Sequence, residues 1–342
     1  MRPELEHIVI TLENLSKTFR STSGSIVALD DVTLDVPAGV IAGVVGPSGA
    51  GKSTLARVLS LRERPDSGVF RLDGLNTGTL DERTTRIARS RIGVVPSGGS
   101  LLGQRTAAGN VALPLEQAGM DGPQRRDRVG KVLDLIGLTN HAATYPDDLT
   151  AGQRQRVAVG RALVGEPAVV LADDPTAGLD DDGAAGVLAV LDRARAELGA
   201  TVLVATQDTS VVRRIADDVA VLDHGRLQES GRLLELIQNP DSLVAQAVLP
   251  AIDPDARSDY PGVADIVLVG FAAIGSLLPE AASRFGTDIS VIGGGVTRIG
   301  ETPVARFRLG LSGDRTDSAL GWLAERGGSV RHLARGPRGV AA

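Results

Sequence analysis

The run Gly46-Pro47-Ser48-Gly49-Ala50-Gly51-Lys52-Ser53-Thr54 constrains this chain more than any other segment. It fits the spacing G-x-x-x-x-G-K-[ST], follows the apolar run Val40 to Val45 and leads into the helical pattern Leu55 to Leu59. A strand, a glycine-rich turn and a helix N-terminus in that order turn backbone N–H groups inward toward phosphate oxygens, and the helix end favours an anion. Lys52 then reaches for the β- and γ-phosphates and Ser53 for Mg²⁺, with Gly46, Ser48, Gly49, Ala50, Gly51 and Thr54 forming the cradle. A glycine-rich turn that binds nothing has no need of Lys and Ser at the last two positions. The motif therefore predicts an α/β P-loop fold that binds a nucleoside triphosphate.

Further along, Ala168 to Ala172 and Thr201 to Ala205 are short continuous apolar runs separated by helical patterns. Such runs indicate a parallel sheet covered on both faces. Residues 7–45 alternate as strands, and residues 106–145 read as mainly helical. With 342 residues, 42% apolar and only 2% aromatic, the cores must be built from Val, Leu, Ile and Ala. A domain size of about 150 residues predicts two domains. Residues 1–248 form a nucleotide-binding domain of mixed sheets with a helical subdomain at about 97–163. A Pro-containing linker covers 249–262. Residues 263–336 have the order βαββαβ, a ferredoxin-like α+β arrangement. In its third strand Ala305, Phe307, Leu309 and Leu311 face one way, and Arg306 and Arg308 the other.

Composition excludes some classes. A net charge of −6 argues against a general nucleic-acid binder. Without cysteine there is no disulfide framework and no thiolate chemistry. Met1 to Glu6 is charged and no apolar run follows, so no secretory leader is expected. The stretch Ile266 to Leu278 is too short to span a bilayer, so a membrane role has to come through a partner.

A second chemical cluster follows the apolar run ending at Ala172. Asp173 is placed to hold Mg²⁺, and Asp174 stands where a general base or water-orienting group is needed. Upstream, Leu149-Thr150-Ala151-Gly152-Gln153 opens a helix; downstream, Pro175 to Asp180 makes a tight turn. Lys52, Leu149 to Gln153, Asp173 and Leu179-Asp180, in this order and spacing, resemble the ATP-binding cassette proteins. The segments Val36 to Gly39, Leu101 to Thr106, Gly109 to Pro114 and Val211 to Ala216 are similar to the ATPase subunits of bacterial methionine importers. That resemblance implies ATP, Mg²⁺ and a homodimer closed around two nucleotides, each completed by the other subunit's Thr150, Ala151, Gly152 and Gln153, with Asp180 beside them. It also implies a membrane permease as partner, at the cytoplasmic face of the membrane. Phe19 takes the place of the aromatic stacked on adenine. The C-terminal domain resembles one that senses methionine, with Ser290 the best match to the family's effector residue; a spacer or dimerisation domain without ligand is the alternative.

The chain departs from the family at several points. Asp174 replaces Glu, a side chain shorter by roughly 1 Å, and misplacement of that size costs up to ~10²-fold in rate. Gln207 replaces the switch His and cannot become cationic. Ser97 replaces a Gln that reaches metal or water. Thr150 and Ala151 replace Ser and Gly, and the Ala151 methyl is expected to crowd a close approach to phosphate. Two readings follow: a transport motor for methionine or a related amino acid, or an ATP-dependent regulatory module with slow or lost hydrolysis.

Overall fold

The structure is a computed structural model that describes residues 7–21, 24–253 and 260–333. It divides into two compact units, Met1–Ser230 and Gly231–Ala342. The first opens with two long strands, β1 (Ile8–Ser21) and β2 (Gly24–Pro37), then β3 (Ile41–Val45), α1 (Lys52–Leu59), β4 (Ser67–Leu72), β5 (Leu75–Asn76), α2 (Glu82–Ser90) and β6 (Ile92–Val95). Three helices follow, α3 (Ala107–Gln117), α4 (Gly122–Leu135) and α5 (Ala151–Leu163). The series continues with β7 (Val169–Asp173), α6 (Asp181–Leu198), β8 (Thr201–Thr206), α7 (Thr209–Ile215), β9 (Asp218–Asp223) and β10 (Arg226–Arg232), which crosses the division.

Two sheets organise this unit. One is antiparallel, in the order β2-β1-β4-β5; the other, β10-β9-β3-β8-β7-β6, has a parallel centre. All five residues of β3 and all six of β8 are buried, which requires cover on both faces. The period-2 geometry of a strand then sorts the side chains. Ala42, Val44, Val169, Leu171 and Leu203 join one core with Leu55 and Val58 of α1 and Leu12 and Leu29 of the antiparallel sheet. Ile41, Val170, Ala172, Val202 and Val204 join the other, against apolar residues of α3 to α6. The long helices are delimited as their sequences dictate. Asp180 caps α6 by accepting from the Gly183 N–H, and Gly199 ends it in the left-handed region at φ 64°. Among the described residues no helix is long and apolar enough to cross a membrane.

The second unit begins with α8 (Leu233–Leu236) and α9 (Leu243–Val248) and continues with β11 (Gly262–Val269), α10 (Phe271–Ile274), α11 (Leu277–Phe285), β12 (Asp288–Ile299), β13 (Thr302–Ser312), α12 (Thr316–Glu325) and β14 (Ser329–Leu333). Its sheet order, β12-β13-β11-β14, is ferredoxin-like. Ala264, Ile266, Leu268, Ala305, Leu309 and Leu311 pack with Ala281 of α11 and Leu320, Trp322 and Leu323 of α12. Arg308 lies on the opposite sheet face and forms a two-pronged, nearly buried ion pair with Asp265 at 2.8 and 3.1 Å.

The sequence pattern puts the domain boundary at 248/249, whereas the compact division falls at 230/231. An ion pair between Asp241, just ahead of α9, and Arg331 of β14 binds this stretch to the second unit. The expected spacer is also partly packed: Pro250 lies against Gly295, Ile252 against Gly293, and the Tyr260 ring against Gly310.

Candidate functional site

Four loops leave the C-terminal ends of adjacent parallel strands: the phosphate loop after β3, Gln207 after β8, Asp174 after β7 and Ser97 after β6. This edge of an open α/β sheet is where ligands bind, because helix N-termini and backbone N–H groups converge there.

The phosphate loop is shaped by its neighbours. A Cβ on Gly46 would collide with the Leu222 carbonyl oxygen, and one on Gly51, at φ 105°, with the Ala28 carbonyl oxygen. The Gly225 N–H donates to the Ala50 carbonyl at 3.0 Å, clamping the loop from β9's far end. Pro47, Ser48 and Gly49 remain exposed, and Thr54 is buried. Helix α1 starts at Lys52 with no side-chain cap, so its first N–H groups are left to an anion. Lys52 Nζ donates to the carbonyls of Gly46 and Pro47 at 2.7 and 2.9 Å. Burial lowers the pKa of this ammonium, and Asp174 and Asp173 oppose the shift.

Asp173 closes β7 with a hydrogen bond from the Ser53 side chain. Burial, and then the charge of Asp174, push its carboxyl above the ordinary value. Two neighbouring carboxylates and a hydroxyl form a hard-oxygen corner whose repulsion a divalent cation relieves. No group of three or more His, Cys, Asp or Glu converges among the described residues. The oxygen donors of Asp173, Asp174 and Ser53 fit Mg²⁺, an ion that completes its shell with water and phosphate oxygens.

Asp174 adopts φ 48°. Its N–H donates to the Ala205 carbonyl at 2.7 Å, and its Oδ1 accepts from the Thr206 hydroxyl at 2.8 Å. Gln207 follows directly and is exposed. Ser97 is also exposed, at the head of a turn in which Gly98 and Gly99 take φ 74° and 58°. The turn is tied from beneath: Gln155, 1% exposed, donates from Nε2 to the Pro96 carbonyl at 2.9 Å. Buried Asn110 secures the next segment, accepting from the Leu102 N–H and donating to the carbonyls of Leu102, Arg105 and Thr106. Thr206 and Gln155 were not among the expected site residues. A polar residue directly after the apolar run Val202 to Ala205 was the available signal for Thr206.

Phe19 is half-buried on β1, with Lys17 Nζ 5.4 Å and the Arg57 guanidinium 5.6 Å from the ring centroid. Arg57 belongs to α1, so Phe19 shares the locality of the phosphate loop. Thr150 to Gln153 and Asp180 form a second locality, a cleft of about 550 Å³ lined also by Arg156 and Gly183. Thr150 and Gln153 make a reciprocal capping box at the start of α5. Because Gln153 Oε1 accepts from the Thr150 N–H, its Nε2 donates, and His141 Nε2, 3.3 Å away, receives it. Ala151 is exposed; the tight position is Gly152, where a Cβ would stand 2.8 Å from the Gly183 Cα. In the second unit, half-buried Ser290 pairs in register with Gly310, the glycine under the Tyr260 ring.

Comparison with known proteins agrees with this architecture. The ABC transporter family matches residues 29–177, and the NIL domain matches residues 263–332. The methionine import ATP-binding protein of Thermobifida fusca is 41% identical over 318 residues, covering 93% of this chain and 98% of the relative. That of Symbiobacterium thermophilum is 39% identical, covering 96% and 100%. Among solved structures, the ATP-binding cassette MJ0796, a dimer in a post-hydrolysis state bound to ADP and Pi, is similar with TM-score 0.60 and 33% identity, over 65% of this chain and 98% of that one. The cassette cbiO1 of Clostridium perfringens has TM-score 0.61 and 28% identity, over 66% and 89%. The chain is an ATP-binding cassette protein and belongs to the family of the methionine import ATP-binding proteins.

Proposed function

We propose that this chain is the ATPase subunit of an importer for methionine or a related amino acid, acting as a homodimer on a membrane permease at the cytoplasmic face. The observation that carries the reading is the convergence of Lys52, Ser53, Asp173 and Asp174 on one sheet edge, in a chain whose relatives span the same two modules end to end. Lys52, the loop N–H groups and the open end of α1 would hold the triphosphate of ATP, and Phe19 the base. Ser53 and Asp173 would hold Mg²⁺, which supplies charge neutralisation at the phosphates. Asp174 orients and deprotonates the attacking water, with Gln207 and Ser97 as hydrogen-bonding groups beside it. The cleft of Thr150, Ala151, Gly152 and Gln153, with Asp180, lies apart from the phosphate loop and suits a site completed by a second copy of the chain.

The relatives' name favours this motor over a regulatory module with lost hydrolysis. The effector site belongs to the proposal too: a methionine-like ligand at Ser290 would share the sheet face over which Tyr260 stands. The test is uptake of labelled methionine by vesicles carrying the chain with the membrane protein that co-purifies with it. ATP-dependent uptake, lost in Asp174→Asn, is expected. Capture of no membrane-spanning partner, or uptake indifferent to Asp174, overturns the reading.

A further inference from the structure

Asp174 carries a short carboxylate, and the residue next to it in space holds one of its oxygens. Thr206 is fully buried at the end of β8. Its hydroxyl donates to Asp174 Oδ1 at 2.8 Å and accepts from the Asp208 N–H at 3.0 Å. Asp208 in turn caps α7, its Oδ1 accepting from the Ser210 N–H at 2.8 Å. One chain of hydrogen bonds thus runs from the N-terminus of α7, past Gln207, to the carboxylate.

We propose that Thr206 is the positioning residue of Asp174, fixing its carboxylate and coupling it to the switch segment Gln207–Asp208. The inference rests on the hydrolytic reading above and deepens it. A hydroxyl has a single proton, so donation to Oδ1 leaves its lone pairs for the Asp208 N–H, and burial removes water as a competitor. The branched Cβ of Thr206 restricts χ1, so the strand itself sets where the hydroxyl points. Asp174 is held at both ends by consecutive residues of β8: its N–H by the Ala205 carbonyl and its carboxylate by Thr206. Oδ2 is left outside this bond. A short carboxylate fixed this way has fewer wrong orientations to exclude, which offsets part of its lost reach.

The experiment uses the full chain as wild type, Thr206→Val, Thr206→Ser and Asp174→Ala. Two quantities are read: steady-state ATP hydrolysis, and amide hydrogen exchange across residues 206–210 without nucleotide. Thr206→Val should lower kcat by ~10- to 100-fold with KM for ATP nearly unchanged, and Thr206→Ser should restore most of it. Exchange at Asp208 should rise in Thr206→Val and not in Thr206→Ser. Should Thr206→Val fail to fold, Asp174→Ala reads the link from its other end, through faster exchange at Asp208. Wild-type kcat in Thr206→Val, or equal losses in Val and Ser, overturns the proposal. Background turnover in the wild type sinks the hydrolytic reading instead; the tether then stands on accelerated exchange and falls if exchange is unchanged.

Discussion

The phosphate loop and the segments proposed to surround the attacking water leave neighbouring strands of one sheet, yet they are held by different means. Gly46 and Gly51 are boxed in by carbonyls of β9 and β2, and the Ala50 carbonyl is clamped by Gly225, so both ends of the loop are held by the surrounding strands. On the water side, Ser97 and Gln207 are exposed, and a Cβ on Gly98 would meet nothing within 4 Å. Asp174 is fastened there by side-chain and backbone hydrogen bonds to β8. Gripping a triphosphate requires many N–H groups in fixed positions. Activating water requires one well-placed carboxylate and tolerates movement around it.

This contrast can be broken or sharpened. Asp174→Asn should cut turnover by ~10²- to 10⁴-fold while nucleotide affinity, measured with a fluorescent ATP analogue, stays as in the wild type. Loss of affinity would show that the two regions are not separable. Next, one alanine in each region compares their rigidity. Gly51→Ala forces both a carbonyl collision and φ 105°, and should weaken nucleotide binding by ~10²-fold or more. Gly98→Ala faces only φ 74° in open space and should cost about 1–2 kcal/mol of stability with binding retained. Equal effects on binding would erase the distinction.

Thr150→Ala removes the capping box of α5 and should cost about 1 kcal/mol in thermal or denaturant unfolding, with turnover reduced through the partner's site. Unchanged stability would mean that the cap is made elsewhere.

The smallest expected effect concerns Asp173. Burial and Asp174 raise its folded-state pKa above the ordinary 3.8, so the fold favours the neutral carboxyl. The stability this group contributes is complete below its unfolded value and is lost as pH rises through the elevated folded value. Asp173→Asn should therefore raise the nucleotide-free Tm at pH 7, the gain shrinking as pH falls toward 4, and should abolish any rise in Tm on adding Mg²⁺ with ATP. A lowered Tm at pH 7 would contradict the electrostatic picture.

Much of this was legible in the residues. Loop, strand and helix follow one another around Lys52 with no tertiary information, because N–H cradles have a local sequence cost in glycine. The alternation of Ala305, Phe307, Leu309 and Leu311 against Arg306 and Arg308 likewise declares two sheet faces before folding. Other features were not legible. Within the segment Thr150 to Gln153, Ala151 faces outward, and the close approach of Gly152 to Gly183 could not be read from the residues. His141 stood outside every motif, yet it receives the Gln153 amide. The stretch around Pro250, Ile252 and Tyr260 had the composition of a spacer, whereas glycines on β12 and β13 make room for it.

By itself the sequence determined the fold class, the phosphate loop, the carboxylates and their order, because each depends on spacing within a few residues or on a period of two or 3.6. Only the tertiary structure decided which groups act together. Thr206 meets Asp174 across 32 positions, and Gln155 reaches Pro96 across 59. Such partnerships arise where parallel strands end side by side, and strand order is set by packing over the whole sheet rather than by any local run of residues.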